Sequence, residues 1–490
     1  MSVFARISGA AVPRAWLPAI ARERLFLIGA VLATFLVQLP FLSEPLTIDE
    51  AMYFVVARTD ALPYVEVLDQ KPPLVYAWYR LALFFGGGAV SEEALRLLAA
   101  TVLTATAYGV YRLGRSVADA RIGIAAAWLF AALVANPVIV RDANTETFAL
   151  LPFVLGLLAW THARQTDDRR FLALAGVLFA IVVATKTTFA FPILVLAFLA
   201  YRRGIADAVW MLVPFGALLA LVPLPWLLTG HFDDFWYANV TFNMHYSAAV
   251  PVYLRPLASL RLLLALIGSL PVVVLAWYGW FRSHDPSASL WRWVVAGGAG
   301  GILATGLSLN YYLTAVFPAA ALLGAYGVVA ILDRPPSLNQ VAKWVMTVAV
   351  IVACARTLPI YGAGGPEETR TAKMGYGRDV VAYQLADWVE ENAAPGDRVQ
   401  VIGEAIHVYA LTGREPLSRV LHTRFPEFDP ALTDEATAPF FAAMPEILVE
   451  LVEYEDEDRN VSFRDAVDAN YDLVAEFEHE GSRGYAFVKR

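Results

Sequence analysis

Two adjacent carboxylates, Asp49 and Glu50 in "LTIDEAMYF", follow directly on "LFLIGAVLATFLVQLPFL", an apolar run long enough to cross a bilayer. A lone lysine, Lys71 in "LDQKPPLVYAWY", comes a short way downstream. A carboxylate held at a membrane surface can take the proton of an attacking hydroxyl. A fixed ammonium in the same pocket can offset charge on a departing phosphate. Asp49 and Glu50 open an amphipathic helical stretch, where N-terminal peptide dipoles favour anions. The plainer alternative is a charged boundary between a span and water. Lys71 precedes Pro72 and Pro73, which pin the backbone, and Tyr76, Trp78 and Tyr79 supply an interfacial anchor.

Further candidates repeat this combination of charge and aromatic rings. Lys186 in "ATKTTFAF" sits between two short apolar runs, where a lysine is costly unless paired or used; snorkelling to the interface is the alternative. In "RDANTETF" Asp142 and Glu146 are four apart and can share a helical face, with N-capping by Asp142 or Asn144 as the alternative. The segment "HFDDFWYANVTFNMHYSAAVPVYLRP" brings His231, Asp233, Asp234, Trp236, His245, Tyr246 and Arg255, residues suited to sugar stacking, phosphate contact or an interface. A divalent metal held by its histidines and aspartates is left open; no other cofactor is implied. Tyr311 and Tyr312 in "NYYLTAVFP" fit either a head-group contact or an aromatic belt.

The elements that must position these residues are membrane helices. The 490 residues are 58% hydrophobic and 17% charged, with mean hydropathy +0.54, whereas soluble domains carry about 25% charged residues. Eleven spans are expected, near 24–42, 95–113, 119–140, 145–162, 171–185, 187–202, 206–229, 258–281, 292–308, 310–332 and 341–361. Residues 74–85 are apolar but too few to cross, and read as an interfacial or re-entrant helix. This count puts 16 Lys and Arg residues on the cytoplasmic side against 6 in the outer short loops, in keeping with the positive-inside rule. Asp49, Glu50 and Lys71 then share one outer loop, 43–94, and the segments at 141–146, 186 and 230–257 open on the same side. The first span is expected to be retained, since no cleavage pattern precedes it.

Residues 1–362 form the expected membrane domain. Residues 363–490 carry 26 acidic and 12 basic side chains and read as a small extracytoplasmic α/β domain. "GRDVVAYQLADWVEEN" is its helix, "RVQVIG" a buried strand, and "DLVAEFEHE" with "GYAFVKR" a closing hairpin. The acidic tail argues against nucleic acid as partner. Cys354 is the single cysteine, so no intrachain disulfide can form, and its apolar setting suits a packed side chain.

"IDEAMY", "DQKPPLVYAWY" and "RDANTETFALLPFVLGLLAW", followed by the tail's "PGDRVQVIGEAIHVYALTGREPLSRVL", resemble the family 39 branch of the GT-C glycosyltransferases. That branch includes protein O-mannosyltransferases and the aminoarabinose transferase of lipid A. The resemblance implies a polytopic helical GT-C fold in the cytoplasmic (inner) membrane, with active site and tail facing outward. It implies inverting transfer of a sugar from a polyprenyl- or dolichyl-phosphate donor to a hydroxyl of a lipid, glycan or protein, envelope glycans such as lipopolysaccharide among them. Asp49 corresponds to the family's proposed base, Lys71 to the lysine approaching the lipid phosphate, and Lys186 to the lysine of the short-loop segment. Glu146 corresponds to the acidic residue opening a later span, with Asp142 as the alternative. Asp69 and Gln70 stand where some relatives carry a glutamate that contributes to a metal site. The rival reading is a transporter or flippase of lipid-linked sugars, but no paired repeat or broken-helix pattern is seen.

Overall fold

Capped apolar helices account for the body of the molecule, whose computed structural model describes residues 17–333, 340 and 377–490 except 43, 61, 141–142, 284, 308, 454–460 and 480. The expected span at 341–361, Cys354 and Asp142 lie outside the described residues. Helix α1 (Leu17–Leu36) leads through a short turn to α2 (Ile48–Arg58) and α3 (Leu74–Phe85). These are followed by α4 (Glu92–Val117), α5 (Ala120–Val134), α6 (Thr145–Thr166), α7 (Arg170–Thr185), α8 (Ala190–Arg203) and α9 (Ile205–Leu221). Side-chain caps start several of them: Ser91 accepts from the Ala94 N–H at α4, Asp119 from Ile122 at α5, and Asn144 from Thr145 at α6. Short helices between residues 224 and 266 lead to α10 (Leu270–Arg282), α11 (Pro286–Thr305) and α12 (Phe317–Leu332).

Among the described residues six helical runs are long and apolar enough to cross a membrane: Glu23–Phe41, Glu92–Val117, Thr145–Thr166, Ile205–Thr229, Val252–Arg282 and Asn310–Leu332. Three expected spans are shorter as helices, α5, α7 and α8 having 15, 16 and 14 residues. The expected span at 119–140 stops at Val134 because Asn136 and Pro137 follow. There the Asn136 side chain donates to the Ala265 carbonyl at 2.9 Å and to Ser269 Oγ at 3.0 Å. Within the run Val252–Arg282 the helix is interrupted by a turn at Ser259–Leu260 and a 3-10 turn at Ile267–Ser269, just before Pro271. Residues 74–85 form a 12-residue helix, too short to cross, as their length implied.

Helix α6 is the central pillar, packed on α4 and α7 with 78% of its apolar window inside the protein, whereas α9 has 17% inside. Close approach in such a bundle needs small residues. At the α10–α12 crossing, a Cβ on Gly279 would lie 1.9 Å from the Leu323 carbonyl and one on Gly327 2.4 Å from that of Leu275.

Residues 377–490 form a mixed sheet of order β1-β2-β4-β3, with β1 (Val399–Ile402) parallel to β2 (Ile447–Glu453). The hairpin expected at the C-terminus is present as β3 (Tyr471–His479) and β4 (Ser482–Lys489), turning at Gly481 with φ 87°. Helix α13 (Gly377–Asn392) covers the sheet, and α14 (His407–Thr412) packs against α13 and α2. The tail does not hang free. Its apolar residues, among them Val381, Leu385 and Tyr409, join one continuous core with Ala51, Phe54, Tyr64 and Tyr76 of the 43–94 loop.

Candidate active site

The geometry begins at the N-terminus of α2. Thr47 Oγ1 accepts from the Glu50 N–H while Glu50 Oε2 accepts from the Thr47 N–H at 2.8 Å, a reciprocal cap. The cap turns Glu50 inward. Arg96 on α4 donates to both of its carboxylate oxygens, with Nη2 2.7 Å from Oε2, and the Ala143 N–H donates to Oε1 at 2.7 Å. Asp49 lies about 100° round the helix from Glu50, and its side chain keeps 29% of its surface open.

Lys71 meets Asp49 there, Nζ 3.5 Å from Oδ2 and 5.7 Å from the centroid of the Tyr53 ring. The turn carrying Lys71 is held on three sides. Tyr64 OH donates to the Lys71 carbonyl at 2.6 Å, Tyr76 OH to Asp69 Oδ2 at 2.9 Å, and Asn243 Nδ2 to the Gln70 carbonyl at 2.9 Å. Lys186 stands between α7 and a single turn at Thr187–Phe189. Its ammonium is 2.7 Å from Glu146 Oε1 and lies over Tyr312 and Tyr311, 4.7 and 5.7 Å from their ring centroids. Glu146 Oε2 accepts from Thr145 Oγ1 at 2.7 Å.

Lys71 and Lys186 both line one cavity of about 220 Å³, closed by Asn243, Tyr246 and Tyr312, with Gly301 and Ala304 of α11 as its apolar wall. Asp49 flanks this cavity through its contact with Lys71. Burial pushes the Asp49 carboxyl up, but Lys71, His422 and Lys186 together outweigh it and hold the group below the usual aspartate value. Burial pulls the Lys71 ammonium down, and Asp49 with Asp69 more than reverse that, so it stays charged. His422 comes from the tail domain, stacked on Phe425 at 5.0 Å with Nδ1 3.5 Å from Glu404 Oε1; burial holds its pKa below that of a free imidazole.

Of the residues singled out in the sequence, Lys71, Lys186, Tyr246 and Tyr312 line the cavity, Asp49 and Tyr311 lie against its two ammonium groups, and Tyr76 orders the Lys71 turn. Four others stand elsewhere. Glu50, expected beside Asp49 as a catalytic group, is fully buried and its oxygens are taken by Arg96, Ala143 and its own cap, so it positions α2. Glu146, expected to touch substrate, is buried behind Lys186 and holds its ammonium. Arg255, expected on the phosphate, donates to the carbonyls of Ser247 at 2.7 Å, Ala304 at 2.8 Å and Val250 at 3.1 Å, bracing the cavity wall. His245, expected at the substrate, sits 3.2 Å from Asp429 of the tail. The sequence reading missed His422, Asn243 and Arg96. An arginine at the start of an expected span is costly without a partner, which was a usable signal for Arg96; nothing in the local sequence marks the other two.

Among the described residues no group of three or more His, Cys, Asp or Glu side chains converges. Asp69, where some relatives place a metal-site glutamate, accepts from Tyr76 and from the Gln70 N–H at 2.7 Å. Asp49 faces an ammonium instead.

The same architecture occurs in solved structures. ArnT from Cupriavidus metallidurans, solved bound to undecaprenyl phosphate, superposes with TM-score 0.62 at 13% identity, covering 96% of this chain and 98% of that one. The Archaeoglobus fulgidus oligosaccharyltransferase gives 0.54 at 14% identity, over 94% and 74% of the two chains. The mycobacterial arabinofuranosyltransferase AftD gives 0.52 at 14%, over 98% and 40%. At these identities the likeness defines the fold. The sequence also matches a glycosyltransferase family over about a third of its length. That match is to dolichyl-phosphate-mannose-protein mannosyltransferase and spans residues 70–228, which include Lys71, Glu146 and Lys186. Among curated proteins no sequence matches significantly.

Proposed function

We propose that the protein moves a sugar from a polyprenyl-phosphate donor to an acceptor hydroxyl, with inversion, on the outer face of the cytoplasmic membrane. The observation that carries this reading is that Lys71 and Lys186 line one cavity while the ionised Asp49 stands beside Lys71. The donor phosphate enters between the two ammonium groups and competes with Asp49 for Lys71, which releases the carboxylate toward the acceptor. The acceptor oxygen attacks the anomeric carbon opposite the phosphate and its proton passes to Asp49. The bond from that carbon to the phosphate oxygen breaks, and the lipid phosphate leaves against Lys71 and Lys186. One displacement inverts the anomeric centre, and no second carboxylate is required as nucleophile.

The lipid phosphates named in ArnT and in the archaeal enzyme bound to a dolichol phosphate support this donor chemistry. The sixteen-to-six distribution of basic residues supports the outward-facing site. The acceptor is a lipid, glycan or protein hydroxyl. The test offers purified protein a panel of polyprenyl-phosphate sugars of known anomeric configuration and reads the product by NMR. Inversion is expected; a product that keeps the donor's configuration overturns the single-displacement reading.

A further inference from the structure

We propose that a groove at the end of the bundle remote from Asp49 binds a glycerophospholipid with an anionic head group. The groove encloses about 1360 Å³ between α1 and α4 on one side and α6 and α7 on the other. Its mouth lies sixteen residues along α4 from Arg96, about 24 Å from the network that holds α2. It therefore shares no wall with the lysine cavity.

Three observations define the occupant. The groove wall is apolar, formed by Leu151, Leu155 and Leu158 on α6 facing Leu27 on α1, with Leu155 40% exposed. Side chains of this kind take a hydrocarbon chain rather than a soluble ligand. The mouth is cationic. Arg115 is paired with Glu23 at 2.7 Å, but among the described residues neither Arg24 nor Arg112 meets a carboxylate, and Arg112 rests 5.9 Å from the Tyr108 ring centroid. Two arginines free of carboxylates beside an apolar slot match a phosphate with an attached chain, since guanidinium binds phosphate through paired hydrogen bonds. The depth is that of one leaflet. The lined part of α6 runs from Leu151 to Gln165, about 21 Å, and its apolar stretch Leu151 to Ala159 rises about 12 Å, close to half of a 30 Å hydrocarbon core, which suits an acyl chain of the near leaflet.

A lipid seated there does structural work that the protein leaves undone. Helix α1 packs on α4 and α5, and only 22% of its apolar window is buried. A chain in the groove bridges α1 to α6 and α7. This inference is independent of the transfer reaction.

The test places the full-length protein in nanodiscs of phosphatidylcholine, with or without phosphatidylglycerol, and reads bound lipid by native mass spectrometry and thermal unfolding. Wild type is expected to retain phosphatidylglycerol and to unfold at higher temperature in its presence, as a ligand of the folded state must. The double variant Arg24→Gln, Arg112→Gln is expected to bind it about tenfold more weakly while unfolding like wild type in phosphatidylcholine alone. Leu155→Trp, which fills the slot, is expected to lose the bound phosphatidylglycerol. Equal phosphatidylglycerol retention by wild type and the double arginine variant overturns the proposal. So does a bound species that proves to be phosphatidylcholine or a polyprenyl phosphate.

Discussion

Asp49 and Glu50 are neighbours in sequence with different surroundings, and the helix explains why. The reciprocal cap with Thr47 turns Glu50 toward Arg96, and the rotation between successive residues leaves Asp49 toward the cavity. The pH behaviour of the site follows from its charges. Because cations hold the Asp49 carboxyl below its usual value, the proposed base is ionised throughout the neutral range. The acid limb of kcat/KM assigned to it therefore lies below the ordinary carboxylate range. Removing the nearest cation must raise that pKa, so Lys71→Met is expected to move the acid limb to higher pH and to weaken donor binding. An unshifted limb in Lys71→Met would mean that Asp49 is not the titrating group.

At the scale of elements, three pieces of chain that never touch in sequence meet at Glu50: α2, α4 through Arg96, and the turn before α6 through Ala143. Removing one partner of a buried pair leaves the other charge uncompensated. Glu50→Ala is accordingly expected to cost about 3–5 kcal/mol, seen as lowered thermal stability in detergent, whereas Glu50→Gln keeps the cap and loses less. If both variants unfold like wild type, the network does not hold α2. Much of this level was legible beforehand. The short helix at 74–85 followed from its length, and the closing hairpin from its alternation. Six of the eleven expected spans recur among the described residues as helices long and apolar enough to cross, while 119–140, 171–185 and 187–202 are shorter as helices. What composition could not supply was direction. Glu146 and Arg255 have the right charge at the right end of their helices, yet one faces Lys186 and the other backbone carbonyls. Packing alone decides that.

Across the whole molecule the acidic tail acts as part of the site's frame. Tyr383 OH accepts from the Leu46 N–H at 2.9 Å just before α2, and Arg58 donates to the Ala410 carbonyl at 2.8 Å. Arg419 reaches from the tail to the Tyr64 carbonyl at 3.1 Å and to Asp234 at 2.8 Å, while its own carbonyl accepts from the Leu68 N–H at 2.8 Å. Tyr64 holds a left-handed backbone, φ 76°, an arrangement that persists only where its surroundings enforce it. Its hydroxyl holds the Lys71 carbonyl. Arg419→Ala is thus expected to lower turnover by about tenfold to a hundredfold through displacement of Lys71, with faster proteolysis inside 59–70. Wild-type turnover in that variant would limit the tail to a cover. Tail contacts of this kind left no trace in the sequence, because they join residues 46 to 68 with residues 383 to 419.

The most direct measurement is single-turnover transfer by purified Asp49→Asn with a polyprenyl-phosphate sugar, alongside donor binding by the same variant. Loss of the base is expected to slow transfer by about a hundredfold to ten-thousandfold, with the protein folded and the donor still bound between Lys71 and Lys186. Transfer at the wild-type rate by Asp49→Asn would contradict the account.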